Sequence, residues 1–455
     1  MEKKHCKWLQ IDSLVCMTVV IFGIGSWIDI NGLWAESPLL ITHGRLPEGW
    51  KLVSYISIIT QIANIGPLFV TLMRTKAPGR LSDTVVVYVI LGIGCIACLL
   101  LAFFWDSTSH IAGVERSTWL LTLTGFLALV DCTTSVVFLP FMVKFQEIYL
   151  TVYFIGEGMS SLVPGVVGFI QGSGSYSCQN ISVINSTTNL TNYIIQLEFH
   201  DPVFSVRDFF LFLSCMVFAS GTAFSFLNYS NYCKCAYAFN HADNKILEHE
   251  SLHRSDYKNQ NSKHFIAVEE LSLMEKSNID ATENFSDRSP KYYYYLIITA
   301  IINGVKNTVL PSIATFSSLP YGLHTYHLTV ILSLIANPLS CFAAMFLTVS
   351  SCFVISTCTS IGILSAVYII YNASASPTPV LVGTFAGEFL VILSWILASI
   401  FLTYSGVSVA NIFRRGGRRA LLWIGVMQQL GSFLGAIITY FFINVWELFE
   451  SAPLC

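Results

Sequence analysis

Val85-Val-Val-Tyr-Val-Ile-Leu-Gly-Ile-Gly-Cys-Ile-Ala-Cys-Leu-Leu-Leu-Ala-Phe-Phe-Trp105 is a run of twenty-one residues without a charged side chain. A helix rises about 1.5 Å per residue, so the run spans about 30 Å, the thickness of a bilayer's hydrocarbon core. Ten further stretches of similar character flank it: Ser13–Trp34, Leu52–Met73, Trp119–Phe141, Tyr149–Ile170 and Asp208–Leu227, then Tyr292–Leu310, Thr325–Leu347, Cys352–Tyr371, Val382–Tyr404 and Ala420–Val445. Only Thr348 to Ser351 divide the eighth from the ninth. Lys3, Lys4 and Lys7 precede a first stretch too long for a signal peptide, with no small-residue cleavage site after it, so it reads as a retained anchor.

Composition agrees. Of the 455 residues 54% are hydrophobic and 11% charged, against about 25% charged in a soluble domain. The expected fold is an all-α polytopic membrane protein of about eleven spans. A net charge of −3 excludes a nucleic-acid binder, and no G-x-x-x-x-G-K-[ST] run supplies an ATPase. No nucleophile-and-base pair or metal cluster stands out in the spans, so neither an enzyme nor a cofactor is expected.

Lysine and arginine in the short loops set orientation. With the N-terminus inside, the inner segments hold Lys3, Lys4, Lys7, Arg74, Lys76, Arg80, Lys144, Arg414, Arg415, Arg418 and Arg419, and the outer ones Arg45, Lys51, Arg116 and Arg207. This predicts a cytoplasmic N-terminus and an extracellular C-terminus. The sequons Asn180-Ile-Ser, Asn185-Ser-Thr and Asn189-Leu-Thr cluster in the loop at about 171–207, which this topology puts outside, where glycosylation occurs. Asn228 and Asn284 fall inside, and Asn372 lies close to the membrane. Residues 228–290 mix both charge signs with few large apolar side chains, as a disordered cytoplasmic linker does. The chain thus divides into a six-helix bundle at 1–227, this linker, and a five-helix bundle at 291–455. Cys233 and Cys235 sit just inside the membrane after the sixth span, where palmitoylation is an option. A zinc site there with His241 is the weaker alternative.

Polar groups inside the spans are the informative ones, because ionisable side chains in hydrocarbon are costly and face a cavity or a partner. Asp131, Glu157, Lys306 and Glu388 lie well within the membrane. Asp29 and Glu36 lie at the outer end of the first span, within reach of the interface. The bland alternative for each is structural pairing, for instance Lys306 with a carboxylate. Asn31, Asn64, Gln171, Asn303, Asn307, Asn337, Gln428 and Gln429 add donors and acceptors suited to a neutral, hydroxyl-rich solute, or else interhelical hydrogen bonds. Helix breakers accompany them at Gly66-Pro67, at Gly156 and Gly158, and at Pro338, as at transporter sites near the midplane.

Several runs carry a resemblance: Gly25-Ser26-Trp27, Asn31-Gly32-Leu33-Trp34-Ala35-Glu36-Ser37-Pro38-Leu39, Leu46-Pro47-Glu48-Gly49-Trp50, Ala63-Asn64-Ile65-Gly66-Pro67-Leu68, Phe138-Leu139-Pro140-Phe141, Gly156-Glu157-Gly158 and Gln171-Gly172-Ser173-Gly174. In the second half are Leu310-Pro311-Ser312, Pro320-Tyr321-Gly322, Tyr326-His327-Leu328, Ala336-Asn337-Pro338-Leu339 and Leu430-Gly431-Ser432-Phe433-Leu434-Gly435-Ala436. The chain resembles the eukaryotic riboflavin transporters, solute carrier family 52, over all but the sequon loop and the linker. The resemblance implies eleven spans related to equilibrative nucleoside transporters and the major facilitator type, a plasma-membrane location, and sodium-independent riboflavin uptake. Asp131 and Glu157 are similar to the acid-stimulated intestinal member, which makes them the expected proton-sensing residues. Two positions depart from the family: Lys306 stands where a small polar residue is expected, and Thr378 where an outer cysteine pairs with one in the C-terminal tail. Cys455 is left with Cys178, and a bond between those two is the expectation.

The expected function is riboflavin import by alternating access, stimulated by acidic pH. The expected substrate-binding residues are Asn31, Trp34, Glu36, Asn64, Asp131, Glu157, His327, Asn337 and Glu388. The expected partners are riboflavin and the lipid bilayer, with no nucleic acid. The alternatives are a carrier of another ring solute such as a nucleoside, and a cell-surface (viral) receptor without transport.

Overall fold

The apolar stretches form helices in a computed structural model that describes residues 12–42, 46–77, 80–111, 113–172, 175–184, 191–234, 236–237, 290–347, 351–415 and 417–451. Among the described residues nine helices are long and apolar enough to cross a membrane, and two bent pairs bring the number of spans to eleven.

The first span is one of the bent pairs. Helix α1 (Ser13–Ile24) and helix α2 (Ile28–Thr42) meet at 57°. Asp12 caps α1 by accepting from the Leu14 and Val15 N–H groups. The break falls at Gly25-Ser26-Trp27, where a Cβ on Gly25 would stand 2.2 Å from the Ser220 Oγ. The span therefore reaches Thr42, beyond the expected end at Trp34.

The second span is α3 (Leu52–Ile62) and α4 (Ile65–Lys76), followed by α5 (Asp83–Phe104), α6 (Thr118–Met142), α7 (Glu147–Gln171) and α8 (Val206–Tyr229). A capping box between Ser205 and Asp208 starts α8. A short helix, α9 (Asn231–Lys234), then turns the chain back. The Ala236 carbonyl accepts from the Gln146 N–H, and Tyr237 stacks edge-on against Phe145 at 4.7 Å. The polar segment is thus tied to the first bundle through residue 237, and residues 238–289 lie outside the described ones. Cys233 is buried in this turn; Cys235 is outside the described residues.

The seventh span is the second bent pair. Helix α10 (Pro290–Gly304) runs through a π segment (Val305–Val309) and α11 (Leu310–Ser312), then turns by 67° into α12 (Ala314–Ser318). The remaining spans are α13 (Leu323–Phe346), α14 (Cys352–Ser374), α15 (Phe385–Arg415) and α16 (Gly417–Tyr440), the last closing in a second π segment, Phe441–Val445. Two hairpins interrupt the helices: β1 (Ser109–Ile111) with β2 (Val114–Arg116), and β3 (Ser175–Ile184) antiparallel to β4 (Thr191–His200). The second occupies the sequon loop and puts Asn180 in a strand. Asn185, Asn189 and Cys455 lie outside the described residues, as does the side chain of Cys178.

Packing repeats between the halves. Spans one and five, two and four, and three and four pack in the first half; spans seven and eleven, eight and ten, and nine and ten pack in the second. Across the interface span five meets span eight and span two meets span eleven, again equivalent pairs. Glycines set the closest approaches. Gly23 of α1 and Gly156 of α7 face each other so tightly that a Cβ on Gly156 would lie 2.5 Å from the Val20 carbonyl oxygen. Gly431 of α16 sits against α10, where a Cβ would lie 2.0 Å from the Ala300 oxygen. Small residues let backbones touch where no hydrophobic effect drives helices together. A ring cluster fills the first bundle, with Phe22 stacked on Phe138 at 4.3 Å and on Phe224 at 5.5 Å.

Candidate functional site: a polar seam between the two halves

At mid-depth the two bundles face each other with polar groups. On the first-half side, the Asn31 amide donates to Ser160 Oγ at 3.4 Å, and that hydroxyl donates to the Glu157 carbonyl oxygen at 2.6 Å. Asn31 belongs to α2 just past the break, and Glu157 lies ten residues into α7, about 15 Å along the helix. The Glu157 side chain is half-buried and has no hydrogen-bond or ion-pair partner among the described residues.

On the second-half side, Lys306 Nζ donates to Asn337 Oδ1 at 2.9 Å, and Thr403 Oγ1 donates to the same oxygen at 2.8 Å. Lys306 projects from the π segment, a helix irregularity that recurs at functional sites. The bland alternative, pairing of Lys306 with a carboxylate, is not what forms: its contact is an amide, and no ion pair holds it among the described residues. Asn303 and Asn307 extend the row, with Asn307 donating to Asn303 Oδ1 and to Ser432 Oγ. Helix α7 crosses α13 at this level: a Cβ on Gly158 would touch Pro338 and Phe342 at 3.4 Å. Cys341, between those residues in sequence, is half-buried.

Asn31, Glu157 and Asn337 are therefore brought together at the seam. Trp34 lies one turn beyond Asn31, half-buried. Asn64 sits at the junction of α3 and α4 and donates to Gln61 Oε1 at 3.3 Å, on a span that packs against the π segment.

The other expected residues are elsewhere. Asp131 is fully buried inside the first bundle, where its Oδ2 accepts the Ile30 N–H at 3.0 Å. That carboxylate caps the exposed start of α2, replacing the N-cap that the break removed. Asp29 shares the same pocket, taking a contact from the Cys98 thiol at 3.4 Å. It is 1% exposed and does not reach the interface. Glu36 is likewise sealed, with Gln171 Nε2 donating to its Oε1 at 3.1 Å. Glu388 is not deep in the membrane: it stands in the first turn of α15, beside the exposed residues 381–386. His327 Nε2 is 3.2 Å from the Gly168 carbonyl oxygen, a contact between the halves.

Such contacts fall at one end of the molecule. Among the described residues, the hydrogen bonds between the halves link Lys51 to Glu447 (2.5 Å), Thr315 Oγ1 to the Trp50 carbonyl (3.0 Å), Asn444 to Ser54 (2.8 Å), Ser37 to Tyr326 (3.4 Å) and His327 to Gly168. Trp50 also packs on Phe316, which packs on Phe449. The Trp50 end is closed. At the opposite end, marked by Arg74, no hydrogen bond joins the halves among the described residues.

The family model for solute carrier family 52, riboflavin transporter, matches residues 11–451. The chain belongs to the riboflavin transporter family. Relatives run along nearly its whole length. It is 39% identical over 448 residues to riboflavin transporter 2 of Salmo salar, covering 96% of each chain. It is 38% identical to riboflavin transporter member 3 of Bos taurus and 35% to member 3 of Homo sapiens, covering 97% of this chain and 98% of each relative. Among solved structures, a POT family transporter in complex with 5-aminolevulinic acid aligns with a TM-score of 0.55 at 10% identity, over 95% of this chain and 91% of that one. A D-xylose–proton symporter aligns at 0.52 and 12%, over 95% and 90%. At such identities the likeness is one of fold, and it is the major facilitator type expected from the sequence. This member of a transporter family is not an enzyme.

Some seam residues gave little warning. Thr403 is an ordinary membrane residue in sequence, and only the fold brings it to Asn337. The Lys51–Glu447 contact joins positions 396 residues apart. Lys306 did carry a signal, a lone cation in an apolar span, but its partner was not readable.

Proposed function

We propose that this family member carries riboflavin into the cell across the plasma membrane by alternating access, without sodium, and that acidic pH stimulates it. The observation that carries this reading is the polar seam at mid-depth, between two bundles hydrogen-bonded only at the Trp50 end among the described residues. The charge distribution of the loops assigns that end to the outside, with the N-terminus cytoplasmic and the C-terminus extracellular. In this arrangement the Trp50 end is the shut outer gate. Asn31, Asn64 and Asn337 supply donors and acceptors for the ribityl hydroxyls, and Trp34 an apolar face for the flavin ring.

Riboflavin is uncharged near neutral pH, so a pH effect arises in the protein or from a carried proton. Glu157 is the proton-sensing candidate, because it lies on the seam where the halves must move past each other. A protonated Glu157 lets the seam close without burying an unpaired charge. Uptake of labelled riboflavin should therefore rise from neutral to mildly acidic pH, and Glu157→Gln should flatten that rise. Equal pH profiles in wild type and Glu157→Gln would remove Glu157 from this role. Nucleosides should compete weakly in the same assay; strong competition would favour the other ring solute.

A further inference from the structure

Two seam side chains have unspent hydrogen-bonding capacity of opposite kinds. Glu157 presents a carboxyl group with no partner among the described residues. Lys306 uses one of its three N–H donors on Asn337 and has no carboxylate within ion-pair distance among the described residues. They approach the same place from opposite halves: Gly158, next to Glu157, packs on Pro338 and Phe342, while Lys306 holds Asn337, the residue before that proline. A carboxyl-bearing residue of the first half and an ammonium of the second thus sit beside the residues at which α7 crosses α13.

The imide edge of a flavin presents the complementary pattern: an N3–H donor between two carbonyl acceptors. We propose that Glu157 accepts the flavin N3–H while Lys306 donates to a neighbouring ring carbonyl, so that this pair reads the imide edge and leaves the ribityl chain to the amides. The proposal rests on the riboflavin reading and makes it more specific. It holds in either protonation state of Glu157, since a protonated carboxyl keeps an acceptor oxygen. It also gives a purpose to a lysine half-buried in an apolar span. A cation alone on a transport path would repel or trap; opposite a carboxyl, it completes a two-point reader.

The test is competition against labelled riboflavin uptake by unlabelled riboflavin and by N3-methylriboflavin, which lacks the N3 donor and fills its place with a methyl group. Wild type, Glu157→Met, Glu157→Gln and Lys306→Met are compared at matched surface expression. In wild type the methylated analogue should compete on the order of 10- to 100-fold more weakly, the effect of leaving a half-buried carboxyl acceptor unpaired. That discrimination should vanish in Glu157→Met and shrink in Glu157→Gln, whose amide oxygen is a weaker acceptor. In Lys306→Met both compounds should weaken together and the discrimination should persist. Equal competition by the two compounds in wild type, or discrimination that survives unchanged in both Glu157 variants, overturns the proposal. Should Glu157→Met fail to reach the surface, Glu157→Gln alone decides. Absence of riboflavin uptake by wild type is a different failure, that of the riboflavin reading itself.

Discussion

Asp131 shows how a buried charge in a span can serve the fold before it serves a substrate. Its Oδ2 meets the Ile30 N–H, and its Oδ1 has no partner. Replacing it with alanine leaves that N–H unpaired in the bundle, at a cost of about 1–3 kcal/mol. Asp131→Ala should therefore lower the melting temperature of the detergent-solubilised protein, while Asp131→Asn, which keeps an acceptor, should lower it much less. Both should keep a pH-dependent uptake; a flat profile in Asp131→Asn would return Asp131 to the proton-sensing role suggested by sequence. The sequence marked Asp131 as costly but could not say which neighbour met the cost. That neighbour is a backbone N–H freed by a helix break 101 residues away. Asp29 and Glu36 were misplaced for a related reason. Counting along a straight first span puts them near the interface, whereas the bend at Gly25–Trp27 keeps both inside.

At the scale of elements, the eleven spans were legible because length and apolarity are local properties, plain in Val85–Trp105. Breaks and crossings were not. The π segment at Val305–Val309 and the turn after Ser312 depend on what packs beside them, and the hairpin of β3 and β4 lies in a polar loop between two spans. Helix crossings make a direct prediction. Gly431→Ala forces a methyl against the Ala300 carbonyl, 2.0 Å away, and the helices must separate. That should cost about 2–3 kcal/mol or more and abolish the monodisperse peak in fluorescence-detected size-exclusion chromatography. Gly425→Ala in the same helix meets nothing within 4 Å. It should be neutral or gain up to about 1 kcal/mol from helix propensity. Equal behaviour of the two variants would contradict the crossing.

At the scale of the molecule, a closed Trp50 end and an Arg74 end with no hydrogen bond between the halves among the described residues match one state of the proposed alternating-access cycle. Lys51 holds the Glu447 carboxyl below the usual carboxylate range through a hydrogen bond and its charge. A carboxyl with a lowered folded-state value stabilises the closed end above its ordinary pKa, and that contribution is lost only as pH falls through the lowered one. The Lys51–Glu447 contact therefore persists across the mildly acidic range, so the proposed acid stimulation is sought at the seam and not at this contact. A membrane-impermeant maleimide applied to intact cells should label Cys341 poorly at neutral and at mildly acidic pH. Lys51→Ala should raise that labelling, read by peptide mass spectrometry; no increase would mean that Lys51–Glu447 does not guard the seam. The polar stretch at 228–290 is why sequence could indicate two bundles without revealing where they touch. Within each bundle the partners are set by span order, but the junctions join spans two and eleven, five and eight. The central claim is that the seam carries riboflavin, and purified protein in liposomes tests it most directly. Proteoliposomes should take up labelled riboflavin saturably and without sodium, faster when the outer face is acidic, and excess unlabelled riboflavin should abolish the signal. Uptake no greater than in protein-free vesicles would contradict the account.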